Sequence, residues 1–173
     1  MERWLSVDQD DTVRAIMEHS TVSAFIYEER HLSEMRDCFV KQNETNDPVI
    51  YRTWTLPQDH QGTDLLIVVT KLESGVIGSE LFHTKGHFHA HPDGPEIVFG
   101  WQGTGLVELA TREGTSEERV LAPGRMIWIG AGVAHRVVNP SADPLIFLSI
   151  CSDTVGHDYS SVAHLNWVYP KVS

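Results

Sequence analysis

The sequence predicts an all-β chain closed as an antiparallel jelly-roll barrel, with short helical segments near its N-terminal end. Three observations carry this expectation. Short runs rich in β-branched and aromatic residues recur along the chain, each bounded by Gly, Pro, Asn or Asp. The length of 173 residues suits one sizeable core, and no repeat or Pro-rich linker divides it, so a single domain over 1–173 is expected. His87 and His89 stand two residues apart, the period at which a strand turns both side chains to one face.

Val13, Ile16 and Met17 fall at i, i+3 and i+4 behind the acidic stretch Asp8 to Asp11, which predicts a short amphipathic helix. A second short helix is predicted over Leu32 to Phe39. Strands are expected at Thr21 to Tyr27, Val49 to Leu56, Asp64 to Leu72 and Val76 to His83. A hairpin carrying His87 and His89 follows. Further strands are expected at Gly103 to Thr111, Glu118 to Leu121, Met126 to Ile129, His135 to Val138 and Leu145 to Cys151. The stretch GWQGTG, Gly100 to Gly105, lacks the lysine of a nucleotide-binding loop and reads as a hairpin between strands.

Lys plus Arg number 13 against 24 Asp plus Glu, a formal net charge of -11, which excludes nucleic acid and anionic membranes as expected partners. An anionic substrate would need local positive charge from a metal cation, backbone N–H groups, or side chains such as Lys85 or Arg136. Lys85 itself reads as a solvated neighbour of the histidines. Only Cys38 and Cys151 occur, so no disulfide framework is expected and a reducing, cytoplasmic location fits. Cys151 follows the apolar run LIFLSI and reads as a small buried side chain. The first residues, MERWLSVDQDD, do not read as a signal peptide, and no run approaches the roughly 20 apolar residues of a membrane span.

Between Gly86 and Glu96 the chain reads GHFHAHPDGPE. On a strand His87 and His89 leave one face while Phe88 leaves the other. Pro92, Asp93, Gly94 and Pro95 form a turn-rich stretch that can bring Glu96 back beside them, and His135 must arrive from another strand. Three imidazoles and one carboxylate suit one divalent ion, with Fe2+ the first expectation and Mn2+, Zn2+, Ni2+ or Co2+ open. Such a set leaves coordination positions for water or substrate, which points to catalysis. His91 continues the alternation but precedes the turn at Pro92, and is expected outside the set.

Gly103 follows Glu96, and Gly124, Gly132, His135 and Asn139 follow in turn, at the spacings of the two cupin motifs. Departures are the six residues between His89 and Glu96, Gly130 in place of a proline, and the missing first glycine of motif one. TKGHFHA followed by Glu96, AHRVVN at 134–139, GHDY at 156–159, LSEM at 32–35 and DPVIY at 47–51 together resemble the cupin-type, archaeal-type glucose-6-phosphate isomerases over about Arg30 to Val162.

The resemblance implies a homodimer of glycolysis and gluconeogenesis that interconverts glucose 6-phosphate and fructose 6-phosphate or a related sugar. By position, His87, His89, Glu96 and His135 match the family's metal ligands. Thr70, Thr84, Gly86 and Tyr159 match residues that hold the phosphate, and His157 matches a histidine of the same pocket, so Glu96 and His157 are the catalytic candidates. Val98 and Cys151 stand where the family has tyrosines; weaker binding at the phosphate end is therefore expected, since a hydroxyl bond to a charged group contributes about 1.5 to 3 kcal/mol. Proton transfer by Glu96 through a cis-enediol and a hydride shift both remain open. A metal-dependent dioxygenase and a non-catalytic sugar-binding cupin are the rival functions for this fold.

Overall fold

The structure, a computed structural model, describes residues 25–39, 45–56, 65–162, 165 and 167. The predicted helix around Val13 lies outside the described residues. Within them the chain forms β1 (Ile26–His31), β2 (Val49–Thr55), β3 (Leu65–Leu72), β4 (Val76–Ile77), β5 (Glu80–Leu81), β6 (Phe88–His89) and β7 (Glu96–Gln102). It continues through β8 (Gly105–Ala110), β9 (Ser116–Leu121), β10 (Met126–Ile129), β11 (Ala134–Val138), β12 (Leu145–Ser152) and β13 (His157–Asp158).

A six-stranded sheet runs β1-β2-β3-β12-β7-β10, and a three-stranded sheet runs β11-β8-β9. Pairing is antiparallel throughout these sheets. The neighbours β3, β12 and β7 are far apart in sequence, the crossover expected when an antiparallel chain closes as a jelly roll. One core joins the two sheets: Tyr51, Leu72, Val98 and Phe147 from the larger pack with Val107, Leu109, Leu121 and Val137 from the smaller. Strand period explains the rest. Ile146, the neighbour of Phe147, leaves the other face and packs with Trp54 and Val69.

Phe88 leaves the face opposite its flanking histidines and is fully buried against Ala110, Ala134 and Leu165. Burying a side chain of this size contributes about 1.5 to 3 kcal/mol and anchors the segment from which His87 and His89 project. Asn139, also fully buried, donates its amide to the carbonyls of Leu72, Glu73 and Asp143, tying the end of β11 to the end of β3.

Several local expectations are corrected. The helix predicted at Leu32 to Phe39 is a pair of 3₁₀ turns, Leu32–Glu34 and Arg36–Cys38, which bury Leu32 and Met35 and so mimic a helical period. The strand predicted to end at Tyr27 continues to His31, because Glu29 is held from the neighbouring strand by Arg52 at 3.0 Å. The strand predicted over Val76 to His83 is broken at Gly78, whose φ of 60° turns the chain between β4 and β5. GWQGTG is not a hairpin: it carries the chain from β7 in the six-stranded sheet to β8 in the three-stranded one, with Gly103 at φ 80°, and the expected hairpin carrying His87 and His89 is also absent, because β6 pairs with β13 and not with β7.

Candidate metal centre

His87 lies just before β6 and bridges His135 on β11 through paired backbone bonds of 3.2 and 3.0 Å. The two residues face each other, so both imidazoles enter the barrel from adjacent strands. His89 leaves the same face as His87. After the turn at 92–95, Glu96 opens β7 with its Oε2 3.1 Å from His89 Nε2 and 3.1 Å from His135 Nε2. One ligand atom from each of the four lies within 4.8 Å of every other. His91 is exposed and outside this group.

The protonation pattern fits a cation. Nδ1 of His87, His89 and His135 lies against the carbonyl of Lys85, Gly94 and Val133 at 3.3, 2.5 and 3.3 Å. A carbonyl only accepts, so each Nδ1 carries the hydrogen and each Nε2 presents its lone pair to the centre. His87 Nε2 is buried with no hydrogen-bond partner, the mark of an atom built for a group other than protein. Donors 3.1 Å apart also match an edge of a coordination shell with bonds of about 2.1 Å. Burial pushes the Glu96 carboxyl upward, but His135 and His89, when their Nε2 atoms carry hydrogens in the absence of an ion, outweigh it and hold the group well below the usual carboxylate range, a part that a cation would take over once bound. Burial drives His87 well below the usual imidazole range, which keeps it neutral.

His87, Glu96 and His135 line a cavity of about 220 Å³ inside the barrel, together with Thr70, Thr84, Val98, Cys151, His157 and Tyr159. His157 pairs with His89 across the β13–β6 ladder, and its ring stands 4.4 Å from that of His87 and stacks on Tyr159 at 5.6 Å. The residue is exposed as a whole, yet its imidazole end is crowded by these rings, and that desolvation lowers its pKa.

Two sequence readings change here. Gly86 does not line this cavity; it lines a neighbouring one, with Trp167 where a side chain would go, a Cβ lying only 2.6 Å from Trp167 Cζ2. Cys151 stands opposite Glu96 on the β12–β7 ladder, whereas Thr70 pairs with Phe147, so Cys151 belongs to the end nearest the histidines and not to the end marked by Thr70. It is buried, with burial and then the Glu96 charge pushing its thiol up to about 12.

The sequence reads Lys85 as solvated and does not single out Arg30, yet both line the cavity. Lys85 faces the cavity, with Nζ 5.9 Å from the Tyr159 ring, and Arg30 lines it from β1, where Glu28 and Glu34 hold its guanidinium at 2.9 and 3.6 Å. Arg136 is instead buried in an ion pair with Glu108, its cross-strand partner, and does not face this cavity. The missed signal was Arg30 itself: an arginine two residues from Glu28 shares its strand face.

A family model described as glucose-6-phosphate isomerase (GPI) matches residues 22–168. The glucose-6-phosphate isomerase of Thermococcus kodakarensis is 39% identical over 138 residues, 77% of this chain and 73% of the relative. That of Pyrococcus furiosus is 37% identical over 140 residues, 78% of this chain and 74% of the relative. Rhizobium meliloti has a protein named putative glucose-6-phosphate isomerase 2 that is 32% identical over 117 residues, 68% of this chain and 58% of that one. Among solved structures, Lactobacillus farciminis oxalate decarboxylase in its formate complex matches with a TM-score of 0.50 and 18% identity, over 71% of this chain and 33% of that one. This likeness shows a shared cupin fold and nothing about the reaction.

Proposed function

The chain belongs to the cupin-type glucose-6-phosphate isomerase family, and on that premise we propose that it interconverts glucose 6-phosphate and fructose 6-phosphate using one divalent ion held by His87, His89, Glu96 and His135. The observation that carries the proposal is the convergence of these four side chains on a cavity also lined by Thr70, Thr84, His157 and Tyr159. A homodimer in the cytoplasm, with Fe2+ as the ion, completes the reading. Among the described residues no helix is long and apolar enough to cross a membrane.

A divalent ion bound there supplies Lewis acidity toward the oxygens on C1 and C2 of the opened sugar. Glu96 stays ionised and is assigned the proton that passes between C1 and C2. His157, its pKa lowered by desolvation and its ring therefore neutral near pH 7, accepts the C1 hydroxyl proton as the C1–O5 bond breaks and passes it to O5. Thr70, Thr84 and the Tyr159 phenol offer donors to the phosphate, with Lys85 supplying the charge. The 220 Å³ cavity has room for one small ligand.

Replacing Val98 by tyrosine should lower KM for glucose 6-phosphate by up to about tenfold with a smaller change in kcat, since one hydroxyl bond to the phosphate is worth about 1.5 kcal/mol. Cys151→Tyr places its phenol beside Glu96 and should alter kcat more than KM. Equal KM effects from both variants would show that the cavity has no distinct phosphate end.

The function itself is tested by an anaerobic assay with glucose 6-phosphate and, in parallel, an oxygen electrode. Fructose 6-phosphate should form without dioxygen uptake. Oxygen consumption without isomerisation would replace the proposal with the dioxygenase reading.

A further inference from the structure

The inner face of the six-stranded sheet is ordered in levels, because ladder partners stand side by side and residues two apart on a strand share a face. Cys151 and Glu96 form the level of the metal centre, and Phe147 and Thr70 form the level assigned to the phosphate. Between these levels on β12 stands Ser149, two residues, or about 7 Å of strand, from Phe147 and as far from Cys151. Its ladder partners are Val68 on β3 and Val98 on β7, and all three line the catalytic cavity. The isomerisation described above makes no use of the Ser149 hydroxyl.

Polar groups are scarce at this middle level. Val68 and Val98 from the larger sheet and Val137 from the smaller one line the cavity and carry no polar side-chain atom. Thr84, beside Val137, already accepts that residue's N–H through Oγ1 at 3.0 Å. Thr55 shares the level of Ser149 but lies beyond Val68, on β2. Among the described residues the Ser149 hydroxyl has no hydrogen-bond partner, and it is not one of the side-chain atoms sealed from the surface. A hydroxyl both donates and accepts, so within this apolar belt it is a ready partner for a hydroxyl of the ligand.

An opened six-carbon sugar phosphate, with its C1 and C2 oxygens at the Glu96 level and its phosphate toward Thr70, lays its middle carbons along the level of Ser149. We propose that Ser149 is a specificity-determining residue, whose hydroxyl bonds a mid-chain hydroxyl of the sugar, on C3 or C4. The inference rests on the isomerase reading and adds to it the group that reads the part of the substrate between the reacting carbons and the phosphate. A phosphorylated chain lacking that hydroxyl sets a bare carbon against Ser149 and leaves the serine without a partner in a closed cavity, so the site selects against it. Val98, on the same level, supplies no such discrimination.

Steady-state rates of the full metal-loaded chain test the assignment, with glucose 6-phosphate and its 3-deoxy and 4-deoxy analogues as separate substrates. Equilibrium dialysis with labelled glucitol 6-phosphate, an open chain that keeps the mid-chain hydroxyls and has no carbonyl to isomerise, reads binding alone. Ser149→Ala should lower kcat/KM for glucose 6-phosphate by about three- to tenfold and weaken glucitol 6-phosphate binding by a similar factor. With one of the two deoxy analogues, the one lacking the hydroxyl that Ser149 meets, wild type and variant should agree within about twofold. The same loss on all three substrates would show a disturbed wall and overturn the proposal. So would a variant that matches the wild type on glucose 6-phosphate and on glucitol 6-phosphate, an outcome that leaves the isomerase reading standing. A wild type that turns over none of the three substrates would refute the proposed function, and the role of Ser149 would fall with it.

Discussion

Replacing His135 by alanine should lower kcat by at least about a thousandfold and strip the protein of most of its bound divalent metal, while the barrel remains folded. His135 is 4% exposed, and its Nε2 is one of the two nitrogens 3.1 Å from Glu96 Oε2. Removing it leaves three candidate donors. The backbone bonds between His87 and His135 and the β11–β8 ladder do not involve the imidazole, so the strand should keep its place. Metal content per chain, near-UV circular dichroism and kcat must therefore be measured on the same sample. A variant with full metal and full activity would remove His135 from the site. An unfolded one would make the histidine structural, and His89→Ala would then carry the test.

The second large effect concerns Lys85. Lys85→Met should raise KM for glucose 6-phosphate by about 10- to 150-fold, the equivalent of one charge-assisted bond of about 1.5 to 3 kcal/mol, with little change in kcat. The cavity also contains Glu28 and Glu96, and Arg30 is already engaged by Glu28 and Glu34. Among the described residues no carboxylate pairs with Lys85, whose ammonium lies near the Tyr159 ring. It is thus the cation available to a phosphate dianion in a chain of net charge -11. Turnover of unphosphorylated sugars should be unaffected, which separates lost charge from damaged structure. An unchanged KM would assign the phosphate grip to Thr70, Thr84 and Tyr159 alone.

The parts of the site that were legible in the sequence rest on local periodicity. His87 and His89 share a face because a strand repeats every two residues, and Glu96 returns to them because Pro92 to Pro95 turn the chain. The barrel was legible from the same alternation, as with Phe147 inside and Ile146 outside. What was not legible depends on sheet order or on contacts far apart in sequence. Cys151 meets Glu96 only because β12 lies between β3 and β7, and local pattern does not encode that order. Lys85 sits in an irregular segment between β5 and β6, where no period says which way a side chain points. Gly86 lines the neighbouring cavity together with Trp167, a residue remote in the chain.

One divalent ion at His87, His89, Glu96 and His135 is proposed to drive sugar isomerisation. Its most direct test is a titration of chelator-treated protein with Fe2+ under anaerobic conditions, following fructose 6-phosphate formation from glucose 6-phosphate. The protein should be folded and inactive before addition, and the rate should rise linearly and level off at one equivalent per chain. Full isomerase activity in the presence of excess chelator, with no metal bound, would contradict it.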